Sequence, residues 1–396
     1  MARMLFTIWQ ILFLFLPLHV WGEEQSSSSA DSTARMRDDY ITASLLVVSP
    51  ASEVYSMFGH CALRLNCPAH QMDYCFTFET PANASGIIAF FRGNGKGGFV
   101  PAPTADYLQY YKQEGRSVTE HRLNLTPEEK LHLWQRADEK VAQGFSHPYG
   151  YMHAQCTSML VSLITSALSG PIRYQQLPDQ LKGSFRDQMI AESNNYPWSR
   201  FFWQSIMGPD GDDTEPLAHK LTPLQLTTAW QHATVGDSNR TLLVEASQTL
   251  VELPTDAAKE GECSPVILFA GLLIILIAIT IGEQQEGWKR LPHSFDIALL
   301  CLYALVGLAL TWLVLFSQLE GTSWNWYLPA FNPLPLLLWL MPGWRKGIVW
   351  CMLIILLASI VATPFVPQLD LPHALLIGCL TVRLYAYILS KKKQHQ

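Results

Sequence analysis

His147 to Leu168, HPYGYMHAQCTSMLVSLITSAL, is the stretch on which the reading of this chain turns. Met159, Leu160, Leu163, Ile164, Ala167 and Leu168 recur at helical spacing, and Gly170-Pro171 closes the run. The spacing predicts a helix buried along one face. Ahead of it, Pro148-Tyr149-Gly150-Tyr151 is turn-prone and aromatic. Cys156 therefore falls in or near the first turn of a core helix, where unpaired N–H groups and the helix dipole favour a thiolate. A nucleophile needs that setting and a base from elsewhere in the chain. A free cysteine is also often a small buried hydrophobe, so spacing alone leaves both readings open.

Outward from this stretch, the 396 residues suffice for two domains, and composition divides them. Up to about residue 262 charges are spread throughout; from Cys263 onward the chain is mostly apolar. A soluble domain over 38–262 followed by a membrane domain over 263–390 is expected, with a short tail at 391–396. The net charge of −6 argues against a nucleic-acid binder. Arg3, the apolar run Met4–Leu18 and Val20-Trp21-Gly22 read as an export signal cleaved near Gly22, or as a retained anchor. Residues 23–37 are Ser-rich and polar, and read as a disordered linker.

An exported domain can form disulfides. Cys67 and Cys75 are candidate partners across a hairpin, with Cys61 nearby, but sequence does not assign the pairing. There is no CxxC pair and no zinc-type spacing, so neither a metal nor a cofactor is expected.

Tyr40–Val48, Cys61–Leu65, Tyr74–Phe78 and Arg116–Leu125 read as strands. Thr126-Pro127-Glu128-Glu129 opens a helix with a capping box. RGNGKGG at 92–98 is glycine-rich but lacks the Lys-Ser/Thr pair of a phosphate loop, so a mobile surface loop is expected. YPWSRFFWQSIM at 196–207 is either ordinary core or a segment lying on a membrane surface. A helix is expected over 222–235 and one or two strands over 242–253.

Apolar stretches follow at 265–281, 297–316, 328–341, 348–366 and 371–390. Four are long enough to span a bilayer. The third is short and carries Pro329, Pro333 and Pro335, which predicts a bent or re-entrant segment. Lys289-Arg290, Arg345-Lys346 and Lys391–Lys393 fall in alternate connectors, as five crossings with a cytoplasmic C-terminus require. Arg383, near the inner end, is expected to snorkel.

A cysteine nucleophile needs a base within hydrogen-bond reach. His60, His70, His121, His132, His147 and His153 precede Cys156. His60 stands at a turn-to-strand junction, where a side chain can be held rigidly, but no spacing rule selects it.

DDYITASLLVVSPASEVYSMFGHCALRL at 38–65 resembles the opening of the Lnb-type periplasmic domain. EGRSVTEHRLNLTPEE at 114–129, YGYMHAQCTSML at 149–160 and WNWYLPAFNPLPLLL at 324–338 are similar to further parts of that family. The family usually has Asn-Cys-Thr where this chain has Gln155-Cys156-Thr157. The resemblance implies an α+β fold of the permuted papain-like kind, akin to NlpC and lecithin:retinol acyltransferase enzymes, with an all-α transmembrane domain of about five helices. In such folds the His comes first, on a strand, and the Cys later, opening a helix.

The resemblance also implies His60 and Cys156 as the catalytic pair. Asp73 or Glu79 are candidates to orient His60, Tyr74 or Tyr151 to assist at the oxyanion, Arg64 to bind phosphate, and Trp326 and Asn332 to line a lipid path. The implied activity is lipoprotein N-acylation at a bacterial inner membrane. A phospholipid would donate an acyl chain through a Cys156 thioester to a diacylated lipoprotein. A membrane-anchored cysteine hydrolase and a non-enzymatic scaffold are the alternatives.

Overall fold

The computed structural model describes residues 41–51, 53, 55–81, 84–174, 181–214, 221–236, 241–253, 263–285 and 293–393. The expected export segment and Ser-rich linker lie outside the described residues.

The first half is a mixed α/β domain built on a large antiparallel sheet. In chain order come β1 (Thr42–Val48), β2 (His60–Cys67), β3 (Met72–Glu79), α1 (Ala84–Arg92), β4 (Lys96–Pro103), α2 (Thr104–Gln113), β5 (Val118–Leu123), α3 (Pro127–Ala142), β6 (His147–Pro148) and α4 (Cys156–Thr165). The sheet order is β10-β5-β1-β2-β3-β4-β6, with β10 (Val244–Val251) supplied from far along the chain. Between α4 and β10 lie β7 (Ile172–Tyr174), α5 (Phe185–Glu192), α6 (Pro197–Ile206), α7 (Pro223–Gln231), β8 (Ala233–Val235) and β9 (Thr241–Leu242). Strands β7, β8 and β9 form a small second sheet. The helix expected over 222–235 is therefore α7 followed by a strand.

Side-chain alternation puts a core on each face of the large sheet. Leu45, Val47, Cys61, Leu63, Leu65, Phe76 and Phe78 face α4, joined by Leu160, Leu163 and Ile164. Leu46, Val48, Ala62 and Cys75 face Tyr107 and Tyr111 of α2. This alternation rules out the Cys67–Cys75 bridge: Cys67 belongs to the first core and Cys75 to the second. All the cysteines are free thiols.

The capping box opens α3 as its sequence predicts. Thr126 Oγ1 accepts from Glu129 N–H at 3.2 Å, and Glu129 Oε2 accepts from Thr126 N–H at 3.0 Å. The other Glu129 oxygen accepts from Ser169 N–H at 2.7 Å, tying α3 to the chain leaving α4.

The second half is helical: α8 (Pro265–Gly282), α9 (His293–Phe316), the short α10 (Leu337–Leu340), α11 (Arg345–Ala362) and α12 (Leu371–Lys393). Among the described residues, four helices are long and apolar enough to cross a membrane. The third apolar stretch, 328–341, is not a long helix but a proline-broken run of turns ending in α10. It nevertheless runs back along α9 towards that helix's start. Asn332 backbone lies against Gly307 midway along α9, and Leu338 lines a cavity with Asp296 and Leu300 from the start of α9. Irregular backbone at such depth is tolerated only when protein surrounds it. Phe331 is buried, and the Asn332 side chain bonds its own turn, to Pro329 O at 2.5 Å and from Leu334 N–H at 2.9 Å.

Arg383 does not snorkel. Its side chain is 4% exposed and fixed by Asp296 at 2.8 Å and Glu283 at 3.1 Å. It thereby clamps α12 to α8 and α9.

Candidate active site

His60 and Cys156 are brought together from opposite directions. Gly59 has φ +82, and a Cβ there would lie 2.5 Å from Val48 O, so glycine is required at the turn into β2. His60 then pairs with Val48 at the end of the strand. Cys156 opens α4, which packs across β2 and β3. The turn ahead of it is held by Ser158 Oγ, which donates to His153 O at 2.8 Å and accepts from Gln155 N–H at 3.1 Å. Cys156 as a whole is half-buried.

The electrostatics favour the charged forms of both Cys156 and His60. The Cys156 pKa is held well below that of a free thiol, first by hydrogen bonding from Cys61; burial opposes this, and the His60 charge and hydrogen bond add to it. Cys61 is correspondingly pushed up, by its hydrogen bond to Cys156 and by its burial. Burial alone would lower the His60 pKa. The Cys156 charge and hydrogen bond, with the Glu79 carboxylate, outweigh it and raise the pKa.

His60 is also hydrogen-bonded to Thr77 of β3, whose Oγ1 meets His60 Nε2. Glu79 acts on His60 through its charge. Asp73, expected on strand position to orient His60, is engaged elsewhere: it binds Arg64 Nη2 at 2.7 Å and accepts from Thr104 Oγ1 at 2.6 Å. Arg64 is not free to take a phosphate either, since Glu120 holds its other arm at 2.9 Å. Tyr74 pairs with Leu65 towards the far end of the β2–β3 hairpin, away from His60. Tyr151 lies in an aromatic cluster with Trp203 and Phe185, and its hydroxyl is buried without a partner among the described residues.

Trp326 is 41% exposed and set edge-on to Trp324. Asn332 is half-buried, with its backbone against Gly307 and its side chain bonded within its own turn. The aromatic that feels the thiol's charge is instead Tyr149, whose ring stacks on Phe78 at 6.1 Å and whose hydroxyl pKa is raised by burial and then by the Cys156 charge. Thr77, Cys61 and Tyr149 carry no sequence signature, because strand register and loop path alone bring them here.

The turn before Cys156 rests on the helical half of the chain. Glu320, in the loop after α9, accepts from His153 N–H at 2.7 Å. Gly208 N–H donates to Gly321 O at 2.6 Å, and Gly208 O accepts from Arg186 Nη2 at 2.7 Å. Arg186 is almost wholly buried and also binds Asp212 at 2.6 Å. Helix α6 completes this contact. Trp198 Nε1 donates to Cys263 O at 2.8 Å, Phe201 packs on Phe269, and Asn325 Nδ2 donates to Ser205 O at 2.8 Å.

Residues 28–184 match the family model described as the Lnb N-terminal periplasmic domain, and residues 257–395 match that of the Lnb transmembrane domain. No curated protein and no solved structure matches.

Proposed function

From the premise that this chain belongs to the Lnb family, with its periplasmic and transmembrane domains, we propose that it is a lipoprotein N-acyltransferase with Cys156 as nucleophile and His60 as base. The observation that carries the reading is one arrangement. Cys156 stands at a helix start with His60 close enough for each to favour the charged form of the other, and the turn before Cys156 is hydrogen-bonded to the loop after an apolar helix. An enzyme cutting a soluble peptide has no need of that connection. An enzyme whose donor and acceptor both lie in a bilayer does.

In the proposed cycle the Cys156 thiolate attacks an ester carbonyl of a phospholipid. The tetrahedral oxyanion meets N–H groups at the start of α4. His60 in its imidazolium form protonates the departing lysophospholipid alkoxide, leaving an acyl thioester on Sγ. The neutral α-amine of a diacylated lipoprotein then attacks the thioester, His60 takes the proton lost from nitrogen, and the thiolate leaves as the amide forms. His60 ends as it began, protonated beside a thiolate. Thr77 fixes the imidazole, and Glu79 favours its charged form.

Support for a permuted papain-like fold lies in the order of the pair, His on a strand before Cys on a helix, and in α4 packing on an antiparallel sheet. We place the mixed domain (38–262) on the periplasmic side of the bacterial inner membrane, the membrane domain at 263–390, and the C-terminus in the cytoplasm. Lys289-Arg290, Arg345-Lys346 and Lys391–Lys393 then share the cytoplasmic side, with the irregular third stretch making the return crossing.

The test is mass spectrometry of lipoprotein N-termini in cells lacking their own N-acyltransferase. An added amide-linked acyl chain with the natural protein, absent with Cys156→Ala, is expected. No added chain from a well-expressed, membrane-inserted natural protein would reject acyl transfer and favour a hydrolase.

A further inference from the structure

Helix α1 has an exposed apolar face that the acyl-transfer chemistry does not account for. Its sequence, ASGIIAFFR, carries adjacent isoleucines, Ile87 at 64% and Ile88 at 57% exposure. Exposed apolar surface of this kind marks contact with something apolar. The position of the helix says what that is. α1 packs against α9, one of the four long apolar helices. Its C-terminal end is fastened where α9 ends: Ser317 Oγ donates to Phe91 O at 2.6 Å and Gln318 N–H to Arg92 O at 2.9 Å.

Gly93, at φ +75, lies so close to the Gln318–Leu319 backbone that a Cβ would stand 2.0 Å from Gln318 C. The expected mobile loop at 92–98 is thus a tight joint followed by strand β4. On the other side, Phe91 meets Phe202 of α6 edge-on at 6.4 Å. Phe202 and Trp198 are each more than a third exposed, and Trp198 packs on Phe269 near the start of α8. The exposed residues of α1 and α6 therefore border the ends of two apolar helices, where aromatic residues settle in membranes.

The inner side of α1 points to the reaction. Phe90 lies 6.1 Å from the Tyr149 ring; Tyr149 stacks on Phe78, packs against the same core as Cys156, and is near enough to feel the charge of its thiol. One short helix thus joins the outer end of the apolar bundle to the wall of the site.

We propose that α1 is an interfacial helix whose Ile87 and Ile88 lie among the acyl chains of the adjoining leaflet, and that a phospholipid acyl chain reaches Cys156 along it, past Phe90 and Tyr149. The proposal rests on the acyl-transfer reading and adds the route by which a lipid substrate arrives. A second copy of the chain covering the isoleucines is the competing occupant.

The test places p-benzoylphenylalanine at position 88 of the full-length protein, in vesicles of phosphatidylethanolamine and phosphatidylglycerol. Illumination is expected to give phospholipid adducts at 88 and few from the same probe at Met72, at the other end of β3. A second arm uses the double variant Ile87→Glu/Ile88→Glu. Transfer from vesicle phospholipid should fall about ten-fold or more, because carboxylates are costly to place in a bilayer. The rate at which iodoacetamide alkylates Cys156 should not change. Protein–protein adducts at 88, or equal lipid labelling at 88 and 72, would overturn the proposal and leave acyl transfer standing. Lipid adducts at 88 without N-acylation of lipoproteins would uphold the helix's place in the leaflet and reject the acyl-transfer reading. Full transfer by the double variant would overturn the route.

Discussion

The Glu320 carboxylate accepts a hydrogen bond from the His153 backbone N–H at 2.7 Å, joining the loop after α9 to the turn three residues ahead of Cys156. Glu320 also lies against Gly150, where a Cβ would stand 2.7 Å from its carboxyl carbon. The helical half therefore shapes the loop that presents Cys156. A charge-assisted hydrogen bond of this kind is worth about 1.5–3 kcal/mol. Glu320→Ala is expected to slow acyl transfer by about ten-fold, in keeping with that range. Glu320→Gln, which keeps an accepting oxygen, should recover much of it. Equal loss in both variants would deny the role of the accepted bond.

Cys156 should alkylate as a thiolate well below the pH at which a free thiol ionises, about 8.5. The direction follows from its lowered pKa, to which both Cys61 and His60 contribute. His60 stays protonated to higher pH than a free imidazole, because Cys156 and Glu79 outweigh its burial. Transfer should therefore rise as pH passes upward through the Cys156 midpoint and fall as it passes the His60 midpoint. His60→Ala should move the alkylation midpoint upward and cut transfer by roughly 10²–10⁴-fold, the range of acid–base catalysis. An unmoved midpoint in His60→Ala would show that the two groups do not couple.

Thr77 positions His60 without touching substrate in the proposed cycle. Thr77→Val keeps the shape but removes the hydroxyl bonded to Nε2. Transfer should drop by about ten-fold, the equivalent of one lost hydrogen bond, with the His60 limb of the pH profile displaced. Thr77→Ser should restore both. A purely structural role would lower melting temperature and leave the pH profile in place.

Gly307 marks where the proline-broken third stretch passes α9. A Cβ at this position would lie 2.4 Å from Asn332 C. Close backbone approach through a small residue is how membrane helices pack. Gly307→Ala should destabilise the helical half by about 1–3 kcal/mol, the usual cost of overpacking. The melting temperature in detergent reads this directly; an unchanged value would mean that the stretch does not lie where the structure places it.

Arg383 answers two carboxylates, Glu283 and Asp296. Removing the cation takes this compensating charge from both carboxylates. Arg383→Met should cost about 3–5 kcal/mol, the range for breaking a buried ion pair from one side. Adding Glu283→Gln and Asp296→Asn to Arg383→Met should recover stability, and failure to do so would mean that Arg383 matters for its packing.

Local pattern made several features of this protein readable. The spacing after Cys156 defined the α4 core face, and Thr126 with Glu129 fixed the start of α3, because both signals act within a few residues. Apolar length and Lys/Arg placement separated the helical half from the mixed half, and proline content marked the irregular third stretch. The order of His60 and Cys156, with the resemblance around them, nominated the pair.

The tertiary structure decided what each polar side chain faces. Asp73 and Thr77 stand four residues apart on the same strand and the same face, so sequence does not choose between them. Register does: His60 reaches Thr77, while Asp73 is taken by Arg64 and Thr104. Cys67 and Cys75 look like hairpin partners along the chain, yet alternation sends them to opposite faces of the sheet. RGNGKGG reads as a free loop because glycine signals both freedom and close approach, and only the neighbouring Gln318 backbone shows which applies at Gly93. Glu320 meets the Cys156 turn from more than 160 residues away in sequence, through a hydrogen bond that no local periodicity encodes.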